Sequence, residues 1–77
     1  MGNVILCIMT LKGFRVLEHF FAHYKANIKH VVCARDTNIE FDFFKEIEDF
    51  CCRNSLSFFP RGVEPKADDS DYVFAIS

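Results

Sequence analysis

Residues 4–9, Val-Ile-Leu-Cys-Ile-Met, form an apolar run with no charge and no turn former. A run of this kind suits a strand covered on both faces, the habit of a central strand in a parallel sheet. Such a strand needs neighbours on both edges and a layer above and below it. Residues 14–24 carry Leu17, Phe20, Phe21 and Tyr24 at helical spacing, with Arg15, Glu18, His19 and His23 elsewhere on the wheel. Thr10, Leu11, Lys12 and Gly13 read as a short loop before that helix. Residues 28–34 are a second apolar strand.

A second helix is expected after Arg35 and Asp36. Thr37 and Glu40 have the spacing of a capping box, with Asp42 a competing cap. Ile39, Phe43, Ile47, Phe50 and Cys51 make its apolar stripe, and Asn54 is its stop signal. Phe41 and Phe44 fall off that stripe. They read equally as the edge of a core or as an exposed apolar patch. Residues 56–59 are a short third strand ended by Pro60. Residues 60–71 hold two prolines and several acids and read as a loop, and residues 72–76 are a fourth strand.

The order β-α-β-α-β-loop-β predicts one α/β domain over residues 1–77. It is a small Rossmann-like three-layer half-domain with right-handed crossovers and a parallel sheet in the order 3-2-1-4. Composition fits a globular chain: 51% of the 77 residues are hydrophobic and 26% are charged. The net charge of -2 argues against a nucleic-acid partner. No apolar run approaches the roughly 18 residues of a membrane span. The start has no basic region and Lys12 interrupts the apolar stretch, so it reads as a strand rather than a signal peptide. Cys7, Cys33, Cys51 and Cys52 sit mostly among apolar residues and are expected as reduced thiols, which with the missing signal points to the cytoplasm. A chain this short buries only about 60% of its unfolded surface, so a partner surface would help it.

Sites for chemistry are sparse. The first loop stands where a dinucleotide fingerprint would lie, but it has Gly13 alone where three glycines are needed, and Leu11 and Phe14 obstruct it. Asp36 lies where a ribose-binding acid would stand, a weak signal without the glycines. His19 and His23 have the i, i+4 spacing of metal ligands but lack the glutamate of a metalloprotease helix, and they read as solvated. His30 stands alone, and Cys51-Cys52 is a vicinal pair rather than C-x-x-C. No Ser-His-Asp or Cys-His arrangement is visible, so no catalytic residue, metal or cofactor is expected. Glu64, Asp68, Asp69 and Asp71 cluster in the last loop, either as a solvated segment or as an acidic surface for a basic partner.

Three segments together resemble a known family: residues 4–17, Val31 to Asp36 with its Val-Val-Cys-Ala-Arg-Asp, and 71–77 with Asp-Tyr-Val-Phe-Ala-Ile-Ser. They are similar to the N-terminal part of the formyltransferases, methionyl-tRNA formyltransferase and more closely the sugar N-formyltransferases, which use N10-formyltetrahydrofolate on a Rossmann-like domain. The resemblance implies that the catalytic Asn-x-His and the later Asp would fall beyond Ser77, as would most of the folate pocket. None of those residues can be carried onto this chain. Thr10, Lys12 and Gly13 would then be a vestigial ligand loop. The resemblance further implies an open fourth-strand edge. That gives an expected interface at Asp68, Asp69, Asp71, Tyr72, Phe74 and Ile76, used for a homodimer or for another protein. The implied function is an interaction protein without catalysis, in the manner of an inhibitor or a toxin-immunity protein. The alternative is the N-terminal piece of a sugar N-formyltransferase.

Overall fold

The computed structural model describes residues 2–35 and 43–76. The elements, in chain order, are β1 (Val4–Ile8), α1 (Thr10–Tyr24), a 3-10 turn (Lys25–Asn27), β2 (Ile28–Cys33), α2 (Phe44–Arg53), β3 (Phe58–Pro60) and β4 (Tyr72–Ile76). The four strands form one sheet in the order β3-β2-β1-β4. Every pairing is parallel. This is the small Rossmann-like half-domain that the alternation of strands and helices predicts.

β1 lies at the centre because nothing in it tolerates water. Val4, Ile5, Leu6 and Ile8 are all buried, and so are Val31, Val32 and Cys33 beside them on β2. Val4, Leu6 and Ile8 point to one face and join Leu17 of α1 and Phe44, Ile47 and Cys51 of α2 in a single core. The two helices therefore share that face. Phe50 of α2 meets Phe14 and Phe21 of α1 edge-to-face, at centroid separations of 5.9 and 5.5 Å. The opposite face carries Ile5, Cys7, His30, Val32 and Val73, and residues 64–67 of the β3–β4 connection lie against it. A doubly wound sheet places a helix there; this chain uses an irregular segment as its third layer.

Two local expectations change, and one reading left open, that of Phe44, is settled. α1 begins at Thr10, so the expected loop over residues 10–13 is the helix's first turn. Gly13 permits this: a Cβ there would stand 2.9 Å from the Ile8 Cβ, so only glycine lets the turn lie flat on β1. β3 runs to Pro60 instead of ending before it. The Val31 amide donates to the Ser57 carbonyl and the Arg61 amide to the Cys33 carbonyl. Alternation then turns Phe58 and Pro60 to the free side, where the missing proline N–H costs the ladder nothing. Phe44 is core, 7% exposed, edge-to-face with Phe58 and beneath the Arg35 guanidinium at 4.2 Å. Phe41, Ile39 and the caps expected at Thr37, Glu40 and Asp42 lie outside the described residues; α2 opens after Phe43, which holds φ 62°.

Asn54 ends α2 as its composition suggests. Its Nδ2 donates to the Phe50 carbonyl at 2.8 Å. The Ser55 amide then bonds the Cys52 carbonyl and the Leu56 amide bonds the Cys51 carbonyl, the paired bonds of a Schellman stop. Ser55 holds the left-handed position at φ 58°, which costs a residue with a Cβ about 1–2 kcal/mol. Ser55→Gly is therefore expected to stabilise the fold by about 1 kcal/mol, raising Tm by about 4–8 °C. A thermal melt followed by circular dichroism checks this; an unchanged or lower Tm contradicts the strain.

Candidate functional site

Three places on the fold could carry function: the carboxyl ends of the strands, the second sheet face, and the outer edge of β4. In open parallel sheets ligands bind outside the carboxyl ends of the strands, where the strand order reverses. That point lies here between β1 and β4. A crevice of about 150 Å³ occupies it, lined by Cys7, Met9, Val32, Ala34, Arg61 and Ile76 among others. Of the expected ligand loop, Thr10, Lys12 and Gly13 do not line it. Gly13 is buried against Ile8, Lys12 is exposed, and Thr10 carries a positive φ of 66° at the start of α1. Burial raises the Cys7 thiol pKa, helped by the charge of Glu64 and opposed by Arg61. The thiolate that a nucleophile or soft-metal ligand requires is thus disfavoured. Cys51 is inert for the same reason, its pKa pushed up to about 12 by burial and by Cys33. All four cysteines are thiols.

On the second face His30 is 3% exposed, and its Nε2 has no hydrogen-bond partner. Its ring stands edge-to-face against Phe59 at 5.2 Å. With Cys7, Glu64, Lys66 and Ala67 it borders a hollow of about 220 Å³ beneath the connection. Desolvation lowers its pKa below the ordinary 6.5, reinforwced by the charge of Lys29 and countered by Asp71 and Glu64. In the sequence this histidine reads as a lone residue. Its place inside an apolar strand buried on both faces is the signal that could have found it.

The connection is pinned at its end. Between Val4 and Ile5 the β1–β2 register slips, so that Val4 pairs with Ile28 and Ile5 with His30, leaving Lys29 as the extra residue. Its Nζ reaches Asp71 Oδ2 at 2.8 Å and Asp68 Oδ2 at 3.4 Å. The Asp71 side chain is 3% exposed. Its Oδ2 also accepts the Asp68 amide, and the Asp71 amide donates to the Asp68 carbonyl. The bond from Lys29, followed by the Asp68 amide, holds the Asp71 pKa below the usual 3.8, and the Lys29 pKa rises in turn. Of the acids expected to form a contact surface, Asp71 is thus consumed inside the fold and Asp68 is partly so. Asp69 remains exposed. Glu64 turns back on its own loop, where Oε1 accepts the Gly62 amide.

The third place is β4. Tyr72 is 63%, Val73 52% and Phe74 47% exposed. Phe74 stands 6.4 Å from Phe20, and the two border a groove of about 480 Å³ with Val4, Tyr24, Asn27 and Tyr72. Ile76 packs partly on the core. Tyr72, Phe74 and Ile76 therefore share the helix face, while Val73 lies on the other with His30. On α1 the His19 and His23 rings lie 4.6 Å apart with their planes tilted by 53°. Among the described residues no group of three His, Cys, Asp or Glu is placed to hold a metal ion. No described helix is long and apolar enough to cross a membrane.

These features define a small all-parallel α/β half-domain with a narrow switch-point crevice and an outer strand, β4, that has no second neighbour among the described residues. Comparison with models of known protein families, with curated proteins and with solved structures finds no match in any of the three. The formyltransferase resemblance rests on its three sequence segments alone.

The buried histidine has a measurable consequence. Its folded pKa is lowered, so the unfolded chain binds the proton more readily. The stabilisation is complete above pH 6.5 and is lost as pH falls below that value, at up to about 1.4 kcal/mol per pH unit. Asp71 and Glu64, both depressed, act only lower, as pH drops through the carboxylate range. Urea midpoints between pH 7 and 5 are expected to fall for the native chain and to stay level over that range for His30→Leu. Equal slopes for the two contradict the burial of a neutral His30.

Proposed function

We propose that this unit is a protein-interaction module that works by strand pairing along the outer edge of β4, rather than by catalysis. The observation that carries the reading is the contrast between the two sheet edges. β3 is three residues long, and Pro60 removes a donor from its free side. β4 is five residues, Tyr-Val-Phe-Ala-Ile, with no charge, proline or bulge, and it pairs with β1 in unbroken register. Natural sheets blunt an edge that must stay alone, and β4 has none of the usual devices. Two observations support the non-catalytic half of the reading. The switch-point crevice of about 150 Å³ is below the roughly 300 Å³ at which small-molecule sites start. The 480 Å³ groove beside Phe20 is lined by Val4, Phe20, Tyr24, Asn27, Tyr72 and Phe74, none of them a carboxylic acid, a base or a thiol.

Magnitude sets the kind of association. Burying the exposed parts of Tyr72 and Phe74 removes on the order of 200 Å² of apolar surface per chain, worth about 5 kcal/mol. Association costs about 4–15 kcal/mol before any gain appears. The pairing is therefore reversible and concentration-dependent, not permanent.

Parity along β4 gives a clean test. The Tyr72 amide donates to the Asn3 carbonyl, so Tyr72, Phe74 and Ile76 turn their backbone groups to β1, and Val73 and Ala75 turn theirs outward. Val73→Pro removes an outward donor only. It is expected to keep native circular dichroism and to sediment at the 9.0 kDa chain mass, while the native chain at micromolar concentration sediments heavier. Phe74→Pro breaks the ladder to β1 and is expected to lose the fold. A native chain that stays monomeric and folded at every concentration rejects the proposal.

A further inference from the structure

The outer groups of β4 restrict which strand can pair with it and how. Among the described residues its free side offers the N–H and C=O of Val73 and of Ala75, because alternate residues face β1. Next along the chain on that same side is Asp71, whose amide is already given to the Asp68 carbonyl. We infer that the partner is a second copy of this chain, its β4 antiparallel to the first, with a two-fold axis through Phe74, so that two half-domains form one continuous eight-stranded sheet. This rests on the strand-pairing reading, tested above as self-association, and adds direction and register to it.

An antiparallel pair places residues opposite one another whose numbers have a constant sum, and outward groups must meet outward groups. Centring on Phe74 sets Val73 opposite Ala75 of the other copy, and Ala75 opposite Val73. Each pair exchanges both of its hydrogen bonds, so every outward group within residues 72–76 is satisfied. Centring on Val73 would set Ala75 opposite Asp71, whose amide is occupied. The side chains agree with the Phe74 register. On the helix face the two Phe74 rings meet at the closely spaced position, and each Tyr72 lies across from Ile76. Ile76 then arrives at the mouth of the groove that Phe20, Tyr24, Tyr72 and Phe74 leave open. On the other face the larger Val73 meets the smaller Ala75.

Charge agrees as well. Asp69 precedes the amino end of β4 and is exposed, and Asp68, though paired with Lys29, keeps 75% of its side chain exposed. Arg61 is also exposed and borders the crevice at the carboxyl end of β4 with Ala75 and Ile76. An antiparallel pairing brings the acidic end of each copy to the Arg61 end of the other, twice over by symmetry. A parallel pairing would set acid beside acid.

Cysteine scanning reads the register directly. In a Cys52→Ser background, which removes the exposed thiol, residues Val73, Phe74 and Ala75 are changed singly to Cys and oxidised mildly. The two Phe74 Cα atoms would lie about 4.5 Å apart, within reach of a disulfide. Phe74→Cys is expected to shift to twice the chain mass on a non-reducing gel, while Val73→Cys and Ala75→Cys stay at the chain mass. Mixing Val73→Cys with Ala75→Cys, which leaves the Phe74 ring in place, is expected to give the cross-linked species that neither gives alone. Sedimentation of the unaltered chain is run beside them. If the unaltered chain self-associates but the mixed pair fails to cross-link, or Val73→Cys links to itself, the register is wrong and strand pairing stands. If it stays monomeric, both fall.

Discussion

β1 must be dry on both faces and hydrogen-bonded on both edges, and the other elements follow from that demand. Leu6 at its centre is 0% exposed. The face of Val4, Leu6 and Ile8 is closed by α1 and α2 together, since two consecutive crossovers in one direction along the sheet put both helices on one side. The face of Ile5 and Cys7 is left to the connection between β3 and β4. That connection can reach its place only because β4 lies on the far side of β1, so the chain must cross the sheet to arrive there. The edges of β1 are taken by β2 and β4. Satisfying the central strand thus engages both helices, β2, β4 and the β3–β4 connection, and β4 is left without a second neighbour among the described residues.

Much of this is legible in the residues alone, for a physical reason. Burial on both faces leaves continuous apolar runs at residues 4–8 and 28–33, and a helix packed on one side leaves a 3.6-residue period, so strand order and class can be read from hydrophobicity alone. What fails to show is whatever depends on atoms far apart in sequence. Gly13 reads as a loop residue until Ile8 is seen 2.9 Å from where its Cβ would be. Phe44 falls off the helical stripe because its burial is made by Phe58 and Arg35 rather than by α1. Asp71 looks like one of a group of surface acids. Only the register slip that frees Lys29 shows that it is an internal partner. His30 passes as a lone residue because nothing local indicates which of two buried faces it occupies.

Polarity on the second face is handled differently from that in the helical core. Lys29, Asp68 and Asp71 satisfy one another, and charge-assisted hydrogen bonds of this kind are stronger than neutral ones. Their partner groups sit on β2 and at the threshold of β4, so the ion pair bridges past the amino end of β1 and fixes where β4 starts. His30 lies beside this network yet takes no bond from it through Nε2. A buried imidazole in that condition is tolerated while neutral and costly when charged. The second face is therefore the weaker of the two layers, held by one irregular segment and by groups that respond to protons.

The clasp also determines the edge. Because Lys29 fixes Asp71 and the Asp71 amide is given to Asp68, the first outward-facing amide on β4 that is left open belongs to Val73. A strand entering one residue earlier or later would turn the opposite set of side chains to the helices. It would bury Val73 and Ala75 there and carry Tyr72 and Phe74 to the face of His30. The groove beside Phe20 would then lose two of its aromatic walls. One ion pair at the mouth of the sheet thus sets three things together: which β4 side chains meet α1, which backbone groups face outward, and how many of them a second strand can engage.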